Sequence, residues 1–230
     1  MAKIMFGAAV TDARGKLAGI VYSKNAAGAY IRQKVSPTQS LTTRRGQVRE
    51  RITNLSKYWS ATLTPEQIAG WNAFAKNNPV TDVFGRTMTL SGIQTFCRLN
   101  SNILNVGGTQ IDDPPASLTL VGLETITVTA TEGAPDVLSV AYTATPLSAN
   151  HRLSVWATQP LPGGRTFAKP FLRWIHASAA AAASPATILS AYNAKFGTFA
   201  AGQRVGIRAQ VVDETTGAAS TGLYDLVTVS

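Results

Sequence analysis

The chain has little of what usually marks a chemistry. Among 230 residues there is one cysteine, Cys97, and there are two histidines, His151 and His176. A single cysteine excludes an internal disulfide framework and any site built from several thiolates. Charged residues make up 14% of the chain, against about a quarter in an average globular domain. Apolar residues still reach 45%, so this is no disordered chain, which combines few apolar side chains with many charges. Long hydrophobic runs are missing too, because nothing approaches the roughly 20 apolar residues of a membrane-spanning helix. The short apolar run at residues 4–10 is followed by no clear small-residue cleavage pattern and predicts a protein that is not exported.

Catalytic signatures are equally scarce. Ser91 precedes Gly92 but lacks the glycine two positions upstream that a nucleophile elbow needs. Gly15 and Lys16 fail as a phosphate loop, with Val10 where the first glycine belongs and Leu17 in place of Ser or Thr. Neither histidine has a second ligand at metal-binding spacing. Asp112 and Asp113 make only a weak cation site, locked by Pro114. Cys97 lies in a helical apolar stripe and reads as a small buried hydrophobe. The expectation is a protein that is not an enzyme, with no catalytic residue, no metal and no cofactor.

What is present is an uneven charge. Residues 1–110 hold 14 Lys or Arg against 4 Asp or Glu, a net of +10, while residues 111–230 hold 7 against 8, a net of −1. Such asymmetry predicts that the first half meets an acidic partner. Composition changes at the same place, in a turn-rich stretch that reads as a linker over 108–115. The predicted domains are therefore a basic anchoring domain over 1–107 and a second domain over 116–230.

The first half reads as α+β, a β-hairpin followed by three helices. Residues 18–23 and 29–35 have strand character around a five-residue turn. Alternation puts Tyr30, Arg32 and Lys34 on one face, predicting a ribbon with one basic side. Two strands alone are marginal in water, so this ribbon must lie on something. A helix is predicted over 44–60, with Val48, Ile52, Leu55 and Trp59 as its apolar stripe. Arg44, Arg45, Arg49 and Arg51 fall largely off that stripe. Three of them crowd the first turns, where the helix dipole disfavours cations. Either an acidic partner relieves that crowding or the residues form a solvated face near Glu50. The candidate partner-binding residues are Lys24, Arg32, Lys34, Arg44, Arg45, Arg49 and Arg51.

Thr64, Pro65, Glu66 and Gln67 form a capping box with proline at the first helical position, opening a second helix that stops at Asn77. A third is predicted over 91–106, with Ile93, Phe96, Cys97, Asn100, Ile103 and Leu104 on one side. From residue 116 the apolar period becomes two. Strands are predicted at 125–129, 137–142, 152–156, 171–175, 204–212 and 224–229, with a seventh at 118–121. This is the pattern of an immunoglobulin-like sandwich, and it is similar to fibronectin type III domains. A capped helix predicted over 184–196 is inserted between strands. Trp156 and Trp174 are expected in the core, on the inner faces.

Three blocks carry a resemblance: GKLAGIVYSKNAAGAYIR at 15–32, RRGQVR at 44–49 with the helix that follows it, and LTPEQIAGWNAF at 63–74. Together, over roughly residues 7–107, they resemble a diffuse group of virion structural proteins of tailed bacteriophages and prophages. The resemblance implies a structural component of a tailed double-stranded DNA phage virion. Its expected role is head-side, as a capsid-stabilising or decorating protein or a head–tail junction protein. Its partners would be other virion proteins of the capsid or connector, in a multi-copy or homo-oligomeric arrangement, with contact to packaged DNA and none to membrane. Its location would be the virion, after synthesis in the host bacterial cytoplasm. Two alternatives stand beside it: a tail-associated adhesin that uses the sandwich for host binding, and a nucleic-acid-binding protein whose basic ribbon contacts phosphates.

Overall fold

Residues 20–33 pair as a hairpin, but as the middle of a larger sheet. The structure is a computed structural model that describes residues 2–35, 42–82, 84–143, 145 and 147–230. Strands β1 (Ala2–Lys3), β2 (Gly15–Leu17), β3 (Ile20–Asn25) and β4 (Gly28–Gln33) form an antiparallel sheet in the order β1-β4-β3-β2. The turn is tighter than the expected five residues. Asn25 pairs directly with Gly28, which takes a φ of +105°, and the Asn25 side chain accepts from the Ala27 amide at 3.0 Å. The flanking strands escaped the sequence reading because two or three residues carry no periodicity.

Three helices follow: α1 (Thr43–Ala61), α2 (Pro65–Asn77) and α3 (Gly92–Asn105). Between the last two lies a small hairpin of β5 (Val80–Thr81) and β6 (Thr87–Met88). The capping box at Thr64 is complete, with the Gln67 amide donating to Thr64 Oγ1 at 3.3 Å and the Thr64 amide donating to Gln67 Oε1 at 3.0 Å. A second box opens α3, where Ser91 and Gln94 exchange the same two bonds at 3.4 and 2.9 Å.

The apolar stripe predicted on α1 is only half used. Leu55 is buried and the Trp59 ring lies 5.4 Å from Phe96, whereas Val48 is 39% and Ile52 50% exposed. The N-terminal half of α1 faces the end of α3, so polar groups meet there instead of a packing surface. The helical core is built on Trp71, whose buried ring meets Phe96 edge-on at 5.4 Å and Phe74 at 6.0 Å, with Leu55, Leu63 and Leu99 around them.

Residues 108–115 are held against these helices. The Trp71 indole donates to the Asp112 carbonyl at 2.7 Å, and buried Asn100 bonds both the amide and the carbonyl of Ile111, at 2.8 and 3.1 Å. The predicted strand at 118–121 does not form. Its side chains serve two cores at once, Leu118 packing on the helices and Leu120 on the second half.

The second half contains β7 (Thr125–Thr131), β8 (Val137–Thr143), β9 (His151–Ala157), β10 (Arg173–Ala180), β11 (Ala186–Thr187), α4 (Leu189–Phe196), β12 (Arg204–Asp213) and β13 (Leu223–Thr228). They form a four-stranded sheet, β10-β9-β12-β13, and a three-stranded sheet, β11-β8-β7. Alternate residues of both enter one core: Leu138 and Val140, Leu153 and Val155, Val205 and Ile207. Ile188, Tyr192 and Phe199 join it from around α4. The whole is a mixed α/β protein with four α-helices and antiparallel sheets among the described residues, none of those helices long and apolar enough to cross a membrane.

Three further predictions for this half need correction. The helix expected from Ser184 begins only at Leu189, because Ala186 and Thr187 pair with the β8 edge and the Ser184 hydroxyl accepts from the Tyr142 amide at 2.9 Å. The strand expected at 171–175 runs to Ala180, its alanines pairing with β9 through two register shifts. Trp156 and Trp174 lie on the outer face of the four-stranded sheet, half-buried. Strand alternation sends Leu153, Val155 and Ala157 into the core, so Trp156 must point the other way, with Trp174 directly opposite.

The two halves meet where the turn after β12 docks on α3. Asn102 Nδ2 donates to the Gly217 carbonyl at 2.9 Å. Gly217 is required there: its φ is +73°, and a Cβ would lie 2.4 Å from the Leu99 carbonyl oxygen.

Candidate functional site

Side chains directly opposite each other in an antiparallel pair share a face, so the register of the first sheet sorts its residues. Arg32 lies opposite Val21, and Val21 opposite Lys16, while Lys3 lies opposite Tyr30. Lys3, Lys16, Tyr30 and Arg32 therefore make one basic face. The register puts Leu17, Ile20, Tyr22 and Ile31 on the other face, which is apolar. Lys24, opposite Ala29, belongs at the turn end of that apolar face and not beside Arg32. Lys34 follows the end of β4 and donates its amide to the Gly19 carbonyl at 2.8 Å. Lys24, Arg32 and Lys34 are all exposed.

No described side chain of residues 2–35 is buried. Leu17 is 67% and Ile20 41% exposed, and Met5, Val10 and Val35 are exposed as well. The sheet touches the helical unit through its basic face, where Lys3 Nζ pairs with Asp82 Oδ2 at 3.2 Å. Asp82 also accepts from the amides of Phe84 and Arg86, at 2.8 and 3.0 Å, and faces the Arg86 guanidinium at 3.5 Å. The Arg86 amide, opposed by burial and helped by Phe84 and Lys3, holds this carboxyl below the usual range. Among the described residues the apolar face carries no such ion pair.

The four arginines of α1 have separate fates. Arg51 Nη1 donates to the Ser101 carbonyl at 3.3 Å, and Arg44 donates to Asn105 Oδ1. Both guanidinium groups thus sit at the C-terminal end of α3, where the helix dipole favours cations. Burial lowers the pKa of each, and Arg51 lowers that of Arg44 further. Arg45 and Arg49 are exposed. Reversing all four charges would therefore disturb helix packing together with any docking. Lys3 and Lys16, which the hairpin reading missed, belong with Arg32. Finding them requires β1 and β2, strands too short to announce themselves.

The residues with chemical potential elsewhere are engaged structurally. Asp112 accepts from the Tyr58 hydroxyl at 3.0 Å and Asp113 from Gln67 at 3.1 Å. Burial pushes the Cys97 thiol up, away from the thiolate form a nucleophile uses. Among the described residues no group of three His, Cys, Asp or Glu side chains comes together as a metal site. The chain matches no protein-family model, no curated protein and no solved structure.

Proposed function

We propose that the chain is a non-catalytic structural component of a tailed double-stranded DNA phage particle. It acts on the head side, as a capsid-stabilising protein or at the head–tail junction, in many copies. Residues 1–107 anchor it, and residues 116–230 are an immunoglobulin-like module related in form to fibronectin type III, with α4 inserted. Two antiparallel sheets around one core support that second part of the reading. The resemblance of residues 7–107 to virion proteins supports the first.

The observation that carries the proposal is the sheet of β1 to β4. It has an apolar face with no buried core beneath it among the described residues, and six Lys or Arg against a single acid, Asp12, over residues 2–35. Such a sheet is completed by a partner surface that covers apolar side chains and answers positive charge. Burying an exposed Leu or Ile contributes about 1.5–3 kcal/mol, so one copy gains several kcal/mol on docking. Replacing both Leu17 and Ile20 by Asp, in one full-length chain supplied during phage assembly, tests this. Copies per purified particle should fall about tenfold or more, since each 1.4 kcal/mol is a factor of ten. A Lys24→Glu/Arg32→Glu/Lys34→Glu chain should also be depleted. Wild-type incorporation of both variants would remove the proposal.

A further inference from the structure

The second half is close to neutral in sequence, but its charges are segregated in space. Of its seven Lys or Arg residues, Arg152 is paired with Glu214. The other six, Arg165, Lys169, Arg173, Lys195, Arg204 and Arg208, have no carboxylate at ion-pair distance among the described residues. Glu132 and Asp136 flank the turn between β7 and β8, on the other sheet, and Asp225 is turned to the Val128 amide at 3.0 Å. Among the described residues the one ion pair on the outer face of the four-stranded sheet is that of Arg152 with Glu214, at its end.

That face carries an ordered row. Trp174 lies opposite Trp156, Trp156 opposite Arg208, and Arg208 opposite Tyr224, one residue from each strand. The Arg208 guanidinium sits 5.2 Å from the Trp156 ring centre. Arg44 reaches over Trp174 at 4.4 Å, and Lys169 over Tyr224 at 5.4 Å. Gly222 keeps space for this arrangement, because a Cβ there would lie 2.2 Å from Arg208 Nε. Lys195 donates to the Trp174 carbonyl. Burial, then the nearby Arg44 and Arg173, keep its amine below the ordinary range. Arg44 and Lys195 both meet Trp174, and exposed Arg173, opposite Ala157, lies at the β10 edge beside them. At the other end, Phe167 is 68% exposed in a loop between Arg165 and Lys169. A concavity of about 260 Å³ opens there between Lys169, Leu172, Arg208 and Tyr224.

We propose that this outer face binds single-stranded nucleic acid, its cations meeting the phosphates and Phe167 offering a ring for an unpaired base to stack on. Uncompensated cations interleaved with aromatic rings are the pattern of single-strand binding. Three interstrand gaps span about 14 Å, which a few nucleotides cover at 3.4 Å or more each. A guanidinium stacked on a ring keeps its N–H edge available to a phosphate. A duplex would use the cations but leave Phe167 idle.

The inference does not rest on the docking role of the first sheet, and one experiment separates them. The full-length chain is titrated against a fluorescent oligo-dT and an abasic strand of equal length, at several salt concentrations. Binding to oligo-dT should weaken with salt, with a log–log slope of about −0.7 per phosphate contacted. Lys169→Gln/Arg173→Gln/Lys195→Gln, all at exposed positions, should weaken it about tenfold or more and flatten the slope by about 2. Phe167→Ala should weaken oligo-dT about fivefold and leave the abasic strand unchanged. Lys24→Gln/Arg32→Gln/Lys34→Gln should leave both affinities within about twofold, each lost phosphate contact being otherwise visible in the slope. Loss of binding in this last variant instead of the first, absence of oligo-dT binding at low salt, or equal competition by polyglutamate would each overturn the inference.

Discussion

Asn100 does with one side chain what a strand rung does with two backbones. It is buried in the middle of α3, with its amide group closed onto both polar atoms of the Ile111 backbone. Replacing it by Ala leaves the N–H and C=O of half-buried Ile111 without their side-chain partner, where a fully buried orphan would cost about 1–3 kcal/mol. Asn100→Ala should therefore lower unfolding stability by about 1–2 kcal/mol. Urea unfolding that shows a shifted midpoint at unchanged slope is the check, and a midpoint equal to wild type would deny Asn100 this role. Its place on the inward side of a helix is legible from spacing alone. Its purpose is not, because the partner is a backbone eleven positions downstream in a stretch that looks like a linker. The two tryptophans of the sheet show the reverse difficulty. Size argues for burial, yet the pleat decides, and Leu153 and Val155 had already taken the inner positions.

At the scale of elements, local signals were the dependable ones. The boundaries of α2 and α3 follow from capping boxes, where the residues that satisfy the first amides lie within four positions of each other. Thr64→Ala and Ser91→Ala should each destabilise the protein by about 1 kcal/mol. Thr42 precedes α1 but makes no side-chain cap bond, so Thr42→Ala should change stability by no more than about 0.5 kcal/mol. Thermal unfolding of the three variants side by side tests the contrast, and equal losses would contradict it. Elements that depend on distant partners were less legible. β1, β2, β5, β6 and β11 hold two or three residues each, too few for a period of two to show. The N-terminal half of α1 has the spacing of a buried stripe, but α3 ends beneath Arg44 and Arg51, which meet its last turn through polar bonds. Spacing reports what a helix face can bury, and neighbours decide whether it does.

For the molecule as a whole, two carboxylates hold separate parts together. Asp82 ties the first sheet to the helical unit through Lys3. Asp213 organises the turn that docks on α3: it accepts from the Thr215 amide at 2.8 Å and from the Thr215 and Thr216 hydroxyls at 2.7 and 2.8 Å. Burial pushes the Asp213 carboxyl up, but those hydrogen bonds outweigh it, and the net displacement is downward. Asp82 is displaced downward as well. A carboxyl that binds its proton less tightly in the folded chain stabilises the fold fully above its unfolded pKa, about 3.9 for Asp. That contribution disappears as pH falls through the lower folded value. Stability should thus hold from neutral pH to about pH 4 and then decline as both junctions are protonated. Asp82→Asn/Asp213→Asn removes the titrating groups, so this variant should begin less stable at pH 7 and lose less on acidification. Unfolding midpoints from pH 7 to pH 2 decide the matter. Parallel curves for variant and wild type would mean that neither carboxylate couples the parts. If instead the curves converge in acid, limited proteolysis at pH 7 should show Asp82→Asn cut first within residues 2–35 and Asp213→Asn first at the turn beyond β12, because each substitution loosens only the junction its own carboxylate makes.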